Sequence, residues 1–364
     1  MQITEITVAG LPDFIAGNLW QNLSPKPITF LRAISQSKNP RANPEDIALI
    51  IAHENNTLTG LVGLLPDFIH GDATQPASSN SCWWVDPEKG KHLAIPLFLK
   101  AFSVCNHRMF MTDCTPHTQR ILEKTNRFDF PETEPGIRGF LKFNLHELIP
   151  AKFPVLRKLK FLLKLSDQIL NFLLIPFQKI RHSKIRNNSP KLEYLTALNL
   201  ELNKFIETHS HNEFTRRSAT ELEWIIQHPW IKQNDEQLIT QLEYPFSHLV
   251  KSFNQYFVKI EDANQLVGLL FISVRDGHLK VPYAYFEDDA APLIVNAIYY
   301  ETVRQKVVTL TVFSPKLVQQ INLGSHPFLF KKRVRRLIAI PKELSDLYQK
   351  YPEIQDGDGD VVFT

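Results

Sequence analysis

The chain has 364 residues, 43% hydrophobic and 22% charged, with a net charge of +3. That length suffices for two domains with a core each, and so small a net charge excludes nucleic-acid binding driven by overall charge. Three cysteines, Cys82, Cys105 and Cys114, offer neither paired metal-ligand spacing nor an even disulfide set, which excludes a disulfide scaffold and points to a reducing compartment.

The opening residues MQITEITVAG lack a basic, apolar signal pattern, so a cytoplasmic location is expected. Ile3 to Val8 alternates like a strand, and Leu11 to Leu23 and Ile28 to Ile34 read as helices. Ile47 to Ala52 and Leu58 to Leu65 form a hairpin around Glu54-Asn55-Asn56, and Asp72 to Asn80 reads as a polar loop. Next comes a stretch that organises the rest: a strand from Ser81 to Val85, a charged loop with Gly90, and a helix from about Leu93. Unpaired N–H groups at such a turn, the positive helix end, Lys89 and Lys91 together make a ready phosphate site. Met109 to Thr112 is a short strand, Pro116 to Lys124 a helix and Gly139 to Leu145 a strand.

The order of these elements resembles that of the GNAT acyl-CoA N-acyltransferase superfamily, and so does the loop. Lys89-Gly90-Lys91-His92-Leu93-Ala94 stands where that superfamily has its pyrophosphate loop, with Lys for the first basic residue and His92 for a glycine. The resemblance implies an acyl-CoA, acetyl-CoA or another, held by Trp84, Val85 and Lys89 to Ala94. An oxyanion donor would come from the backbone between Trp84 and Asp86. The segment His117 to Phe128 resembles the superfamily's helix motif, but Leu122 replaces the tyrosine that usually serves as general acid. Candidates by position for the proton acceptor are Asp67, His70 and Asp86; Cys114 reads as a buried thiol rather than a nucleophile.

Residues 153–187 change character. Arg157, Lys158, Lys160, Lys164, Lys179, Arg181, Lys184 and Arg186 face one acid, Asp167, among many leucines and phenylalanines. The apolar run is too short to span a bilayer, which needs about 20 residues. It fits a helix lying at the inner membrane face or a basic linker between domains.

From Leu192 a second round of elements begins: strand Leu192 to Leu198, helices Leu200 to Glu207 and Ala219 to Gln227, and hairpin Tyr256 to Ile260 with Leu266 to Val274. Strand Leu279 to Tyr285, helix Ala290 to Arg304, strand Val307 to Phe313, helix Pro315 to Ile321 and strand Arg333 to Ile340 complete it. Asn56-x-Leu58-x-Gly60-Leu61 is echoed by Asn264-x-Leu266-x-Gly268-Leu269, as in two copies of one domain. The second copy has Glu287-Asp288-Asp289 where the first has its lysines, so one cofactor site is expected. The tail, Gln355 to Asp360, alternates Asp and Gly; it reads either as a solvated end or as a tail folded back, with Asp358 or Asp360 contacting substrate.

The expected architecture is α/β with mixed sheets: two tandem GNAT-like domains at 1–148 and 191–345, a basic helical insert at 149–190 and an acidic tail at 346–364. The arrangement resembles the Fem-type aminoacyltransferases. It implies an N-acyltransferase acting on an amine, either a small molecule or a lipid-linked cell-envelope precursor. The competing expectation is a catalytically degenerate GNAT-fold protein acting at a membrane or on a protein partner. No metal site and no nucleic-acid partner is expected.

Overall fold

A computed structural model of the chain describes all residues except 71–73, 177–182, 184, 186–189, 232–243, 247–249 and 364. Two compact units emerge, each assembled from segments distant in sequence. The first comprises Met1–Thr133, Thr196–Phe253 and Arg336–Thr364; the second comprises Glu134–Leu195 and Asn254–Arg335.

The first unit holds Gln2–Thr7 (β1), Ile47–Glu54 (β2), Thr57–Ile69 (β3), Gln75–Val85 (β4) and Met109–Phe110 (β5), hydrogen-bonded in that order. Neighbours are antiparallel except β4 and β5, which are parallel at Ser78↔Met109 and Ser79↔Phe110. Leu97, Phe98, Ala101 and Phe102 of the helix Ala94–Val104 pack on one sheet face. Leu11, Ile15 and Ala33, from helices Leu11–Ala16 and Phe30–Ser37, belong to a separate core cluster with Leu49, Ile51 and Leu61. Strand alternation puts that second cluster on the opposite face.

Further strands are Phe128–Asp129 (β6), Gly136–Phe140 (β7), Lys191–Leu195 (β8), Phe253–Asp262 (β9), Gln265–Arg275 (β10), His278–Phe286 (β11), Thr309–Val312 (β12), Phe330–Val334 (β13) and Ile340–Pro341 (β14). The second unit's sheet runs β13-β7-β12-β11-β10-β9-β8. Its part from β8 to β12 repeats the order of β1 to β5, again ending in a parallel pair. The sequence echo has a shared structural cause. Asn55 and Asn56 have φ of 46° and 63°, and Ala263 and Asn264 have 46° and 65°, so both hairpins turn through two left-handed residues. A Cβ on Gly60 would lie 2.5 Å from Leu97, and one on Gly268 would lie 2.3 Å from Ile294, so each glycine lets a helix press onto its sheet.

The two rounds exchange their closing strands. β7, which follows the first round in the chain, pairs with β12 and β13 in the second unit. In return, the stretch after β13 rejoins the first unit: Met111 bridges Ala339, the Cys114 N–H donates to the Leu337 carbonyl, and β14 pairs with β6. The units therefore do not follow the expected division at 148, 190 and 345, and Arg333 to Ile340 is two strands in two units rather than one.

Smaller differences have local causes. Leu11 to Leu23 breaks at Gly17, whose ψ of 158° is extended, leaving two short helices. Most of the expected polar loop from Asp72 to Asn80 is strand, because β4 pairs along nearly all of β3 and buries Ser78 and Ser79. Gly139 to Leu145 is β7 only to Phe140, and a helix, Leu145–Lys152, follows. Among the described residues, no helix is long and apolar enough to cross a membrane.

The exchange predicts that residues 1–148 expressed alone, which lack Leu337 to Pro341 and leave β7 unpaired, do not unfold cooperatively. Coexpression with 149–364 should restore a single cooperative transition by circular dichroism. A cooperative, soluble 1–148 would contradict the exchange.

Candidate functional site

The organising loop is held from within. The Asp86 N–H donates to the Thr59 carbonyl, and the Gly90 N–H to the Asp86 carbonyl. The Asp86 carboxylate accepts the N–H groups of Glu88 and Lys89 at 2.8 and 2.7 Å, and these bonds keep it below the ordinary carboxylate range. Asp86 thus serves the turn and takes two N–H groups that a phosphate would otherwise use. Lys91 and His92 open the short helical turn Lys91–Leu93 with their N–H groups outside these bonds. Lys89, Lys91 and His92 are exposed, Ala94 is half-buried, and Leu93 is in the core. A Cβ on Gly90 would lie 2.1 Å from the Thr59 carbonyl oxygen. This glycine allows a close approach to β3.

Beside this loop, β4 carries Trp84 and Val85, both half-buried. The pairing of β4 with β5 runs only from Ser78 and Met109 to Ser79 and Phe110 and goes no further, while on the other edge Met111 bridges Ala339, so the sheet parts between β4 and the chain after β5. Just past that point β4 has a bulge, where Gly63 faces Cys82 and Leu64 faces Asn80, leaving Ser81 as the extra residue. Arg32 fixes the bulge: its guanidinium donates to the Ser81 hydroxyl at 2.5 Å and the Tyr244 hydroxyl at 2.6 Å, and lies 4.2 Å from the Trp230 ring.

Trp83, Val85, Met109 and Met111 face the helix Ala94–Val104, whereas Ala77 and Phe110 face the opposite side. Ser79 and Thr112 share that opposite side by alternation, and there the tail lies. The Thr112 hydroxyl donates to the Asp358 carbonyl at 2.9 Å. Gly359, at φ +70°, packs so closely that a Cβ would sit 2.6 Å from the Thr112 hydroxyl. The chain then buries Phe363, stacked on Trp230 at 4.4 Å and edge-on to Trp224 at 5.1 Å. The tail is therefore folded back rather than solvated.

A buried ion cluster holds it. Asp67 pairs with Arg41 at 2.6 Å and Arg217 at 2.8 Å, all three almost fully buried. Arg41 also pairs with Glu221 at 3.2 Å and donates to the carbonyls of Thr215 and Arg216. Burial alone would raise the Glu221 carboxyl, but Arg41, Ser218 and Arg217 hold it below its usual range. Arg217 Nε lies 3.9 Å from Asp358, whose other oxygen accepts the Gln355 N–H. Burial pushes the Asp358 carboxyl up, with Arg217, Thr215 and the Gln355 N–H pulling the other way.

The three expected proton acceptors are not brought together. Asp86 is at the Thr59 end of β3 and Asp67 is eight residues along it, about 26 Å at strand rise. His70 follows β3 and is half-buried; burial first, then Arg41 and Arg216, lower its pKa, which favours the neutral imidazole. Asp358 is fully enclosed, and Asp360 is half-buried beside Arg32. Leu122 is in the core and supplies no proton donor. Burial pushes the Cys105 and Cys114 thiols up to about 11, which favours the protonated thiol over the nucleophilic thiolate. The sequence reading missed Arg32, Arg41, Arg217 and Tyr244. One usable signal was the adjacent pair Arg216-Arg217 ahead of a capping box, Ser218 with Glu221.

Two substitutions test the cluster. Asp67→Asn leaves two buried guanidinium groups without their shared counter-charge and should cost about 3–5 kcal/mol in urea unfolding; a loss under 1 kcal/mol would contradict the arrangement. Burial, with Asp358 beside it, holds the Glu213 carboxyl well above its usual 4.5. Above that pH the unfolded chain releases a proton that the folded chain keeps, so stability falls as pH rises. Glu213→Gln should therefore raise Tm at pH 8 and change it little at pH 4; equal effects at both would contradict the assignment.

Searches against protein-family descriptions and against curated proteins find no match. Among solved structures, a conserved protein of Enterococcus faecalis described as a probable N-acyltransferase aligns at a TM-score of 0.51 and 10% identity, covering 96% of this chain and 74% of its own. A GCN5-related N-acetyltransferase of Anabaena variabilis aligns at 0.47 and 12%, covering 93% and 72%. An N-myristoyltransferase of Saccharomyces cerevisiae with bound myristoyl-CoA aligns at 0.48 and 8%, covering 93% and 82%. At such identities the likeness is one of fold alone: the chain shares a mixed α/β fold with the Enterococcus faecalis protein.

Proposed function

We propose that the chain is an N-acyltransferase that binds an acyl-CoA in its first unit and transfers the acyl group to an amine. The observation that carries this reading is the parting of β4 from the chain after β5, next to a helix start with two exposed lysines. Lys89, Lys91 and the N–H groups of Lys91 and His92 would hold the pyrophosphate, with Gly90, Leu93 and Ala94 shaping the turn. Trp84 and Val85 would line the pantetheine arm. A backbone N–H in the bulged part of β4 would be the oxyanion donor, a few residues before the expected Trp84 to Asp86.

His70 is the candidate to accept the amine proton; Asp67, through Arg41, holds the chain near it, and Asp86 serves the loop turn at the other end of β3. Asp358 and Asp360 would act on the acceptor by shaping the wall opposite the helix Ala94–Val104. The two rounds of elements read as tandem copies, with Asp288, paired to Lys316, and Asp289 at the second helix start repelling a pyrophosphate there. The acceptor is an amine, and the basic, apolar segment after residue 153 favours an amphiphilic or lipid-linked one over a small polar one. A cytoplasmic site of action accords with the reduced cysteines.

A second reading, a degenerate GNAT-fold protein without catalysis, is favoured by the tail packed at the parting strands and by Leu122 in the core. Calorimetry with CoA and acetyl-CoA separates the two. One site is expected, weakened by about 1–3 kcal/mol in Lys91→Glu, the range for a charge-assisted contact. No binding, or two equivalent sites, would overturn the first reading. His92→Gly should bind more tightly than the parent, because it relieves crowding at the phosphate.

A further inference from the structure

The helix Lys160–Leu173 of the second unit is docked with a broad apolar stripe outward. Its inward side carries two polar anchors beside the half-buried Leu163 and Leu170. Asp167 accepts the N–H groups of Leu145 and His146 at 2.8 and 3.0 Å and the His146 ring at 2.7 Å, capping the helix Leu145–Lys152. One turn on, Asn171 accepts from the Phe143 N–H and donates to its carbonyl, each at 2.9 Å. Two polar anchors at i and i+4, both tied to backbone, fix the rotation of the helix.

That rotation sends six large side chains to solvent. Phe161, Leu162, Leu165, Ile169, Phe172 and Leu173 are 77%, 56%, 45%, 54%, 71% and 61% exposed. At 100° per residue they fall within about one third of the helix circumference, a continuous stripe. A stripe of this kind marks an interaction surface. Its surroundings are cationic: Arg157, Lys158, Lys160 and Lys164 are exposed, and the one acid between 153 and 187, Asp167, is already engaged. Lys179, Arg181, Lys184 and Arg186 continue the basic run in sequence but lie outside the described residues.

We propose that this helix is a membrane-docking face that lies in the plane of an anionic bilayer, with Phe161, Leu165, Ile169 and Phe172 inserted and the cations on the headgroups. Its 14 residues measure about 21 Å, too short to cross and suited to lying flat. Charge selects this occupant: every exposed charge between 153 and 173 is a cation, which suits an anionic surface. The long stems of Lys160 and Lys164, on the far side of the helix from the stripe, reach the headgroups around its edge. The inference is independent of the acyl-CoA reading: a chain that binds no CoA would still dock.

The test is co-sedimentation of the full chain with phosphatidylglycerol-containing or pure phosphatidylcholine vesicles. The parent should pellet with the anionic vesicles at low salt, little with the neutral ones, and be released as salt rises. Phe161→Ser, Leu165→Ser and Phe172→Ser combined should abolish pelleting while leaving Tm unchanged, since the three side chains are exposed. Lys160→Glu with Lys164→Glu should weaken it by at least roughly fivefold for each cation lost. A parent that stays in the supernatant, equal binding to neutral vesicles, or a triple variant that binds like the parent would overturn the proposal. So would lipid-free dimerisation that the triple variant abolishes, because the stripe would then be a self-interface.

Discussion

Asp67, shared between Arg41 and Arg217, is the interaction on which the first unit depends. It joins the end of β3, the loop after the helix Phe30–Ser37 and the segment leading to the helix Ala219–Gln227. Through Arg217 it reaches Asp358 and so the tail. Each charge is buried, so each is tolerable only because the others are present; desolvation makes the cluster all-or-none. A chain whose first unit draws on three distant segments needs such a lock. The neighbouring Arg32 does the same for the β4 bulge, binding Ser81 and Tyr244 and lying over Trp230.

Much of the fold was legible because it is local. Both hairpins announce themselves by asparagines in left-handed turns, and the helix Ala219–Gln227 by its capping box and period. The strand exchange was not legible. Pairing between Met111 and Ala339 joins residues more than 200 apart, and nothing in either segment's alternation names its partner. Arg333 to Ile340 reads as one strand because apolar residues run through it, yet the chain changes units there.

The site was legible in outline only. A strand into Val85 and a helix after Leu93 fixed the loop, since both ends are periodic. Asp86 and Asp67 read as candidate bases by position alone, next to strand ends. In the folded chain one satisfies a turn, and the other is claimed by arginines 26 and 150 residues away. The orientation of the helix Lys160–Leu173 was equally hidden, because a sequence shows that a helix is amphipathic and not which side faces the protein. Asp167 and Asn171 decide it through backbone groups of residues 143–146.

The proposal that one acyl-CoA binds in the first unit, beside the parting strands, is the central claim, and hydrogen-exchange mass spectrometry of the full chain tests it without altering a residue. With saturating CoA, protection should rise in peptides covering 83–97 and 109–114 and stay unchanged across 281–294. Protection across 281–294, or none in either region, would contradict the account.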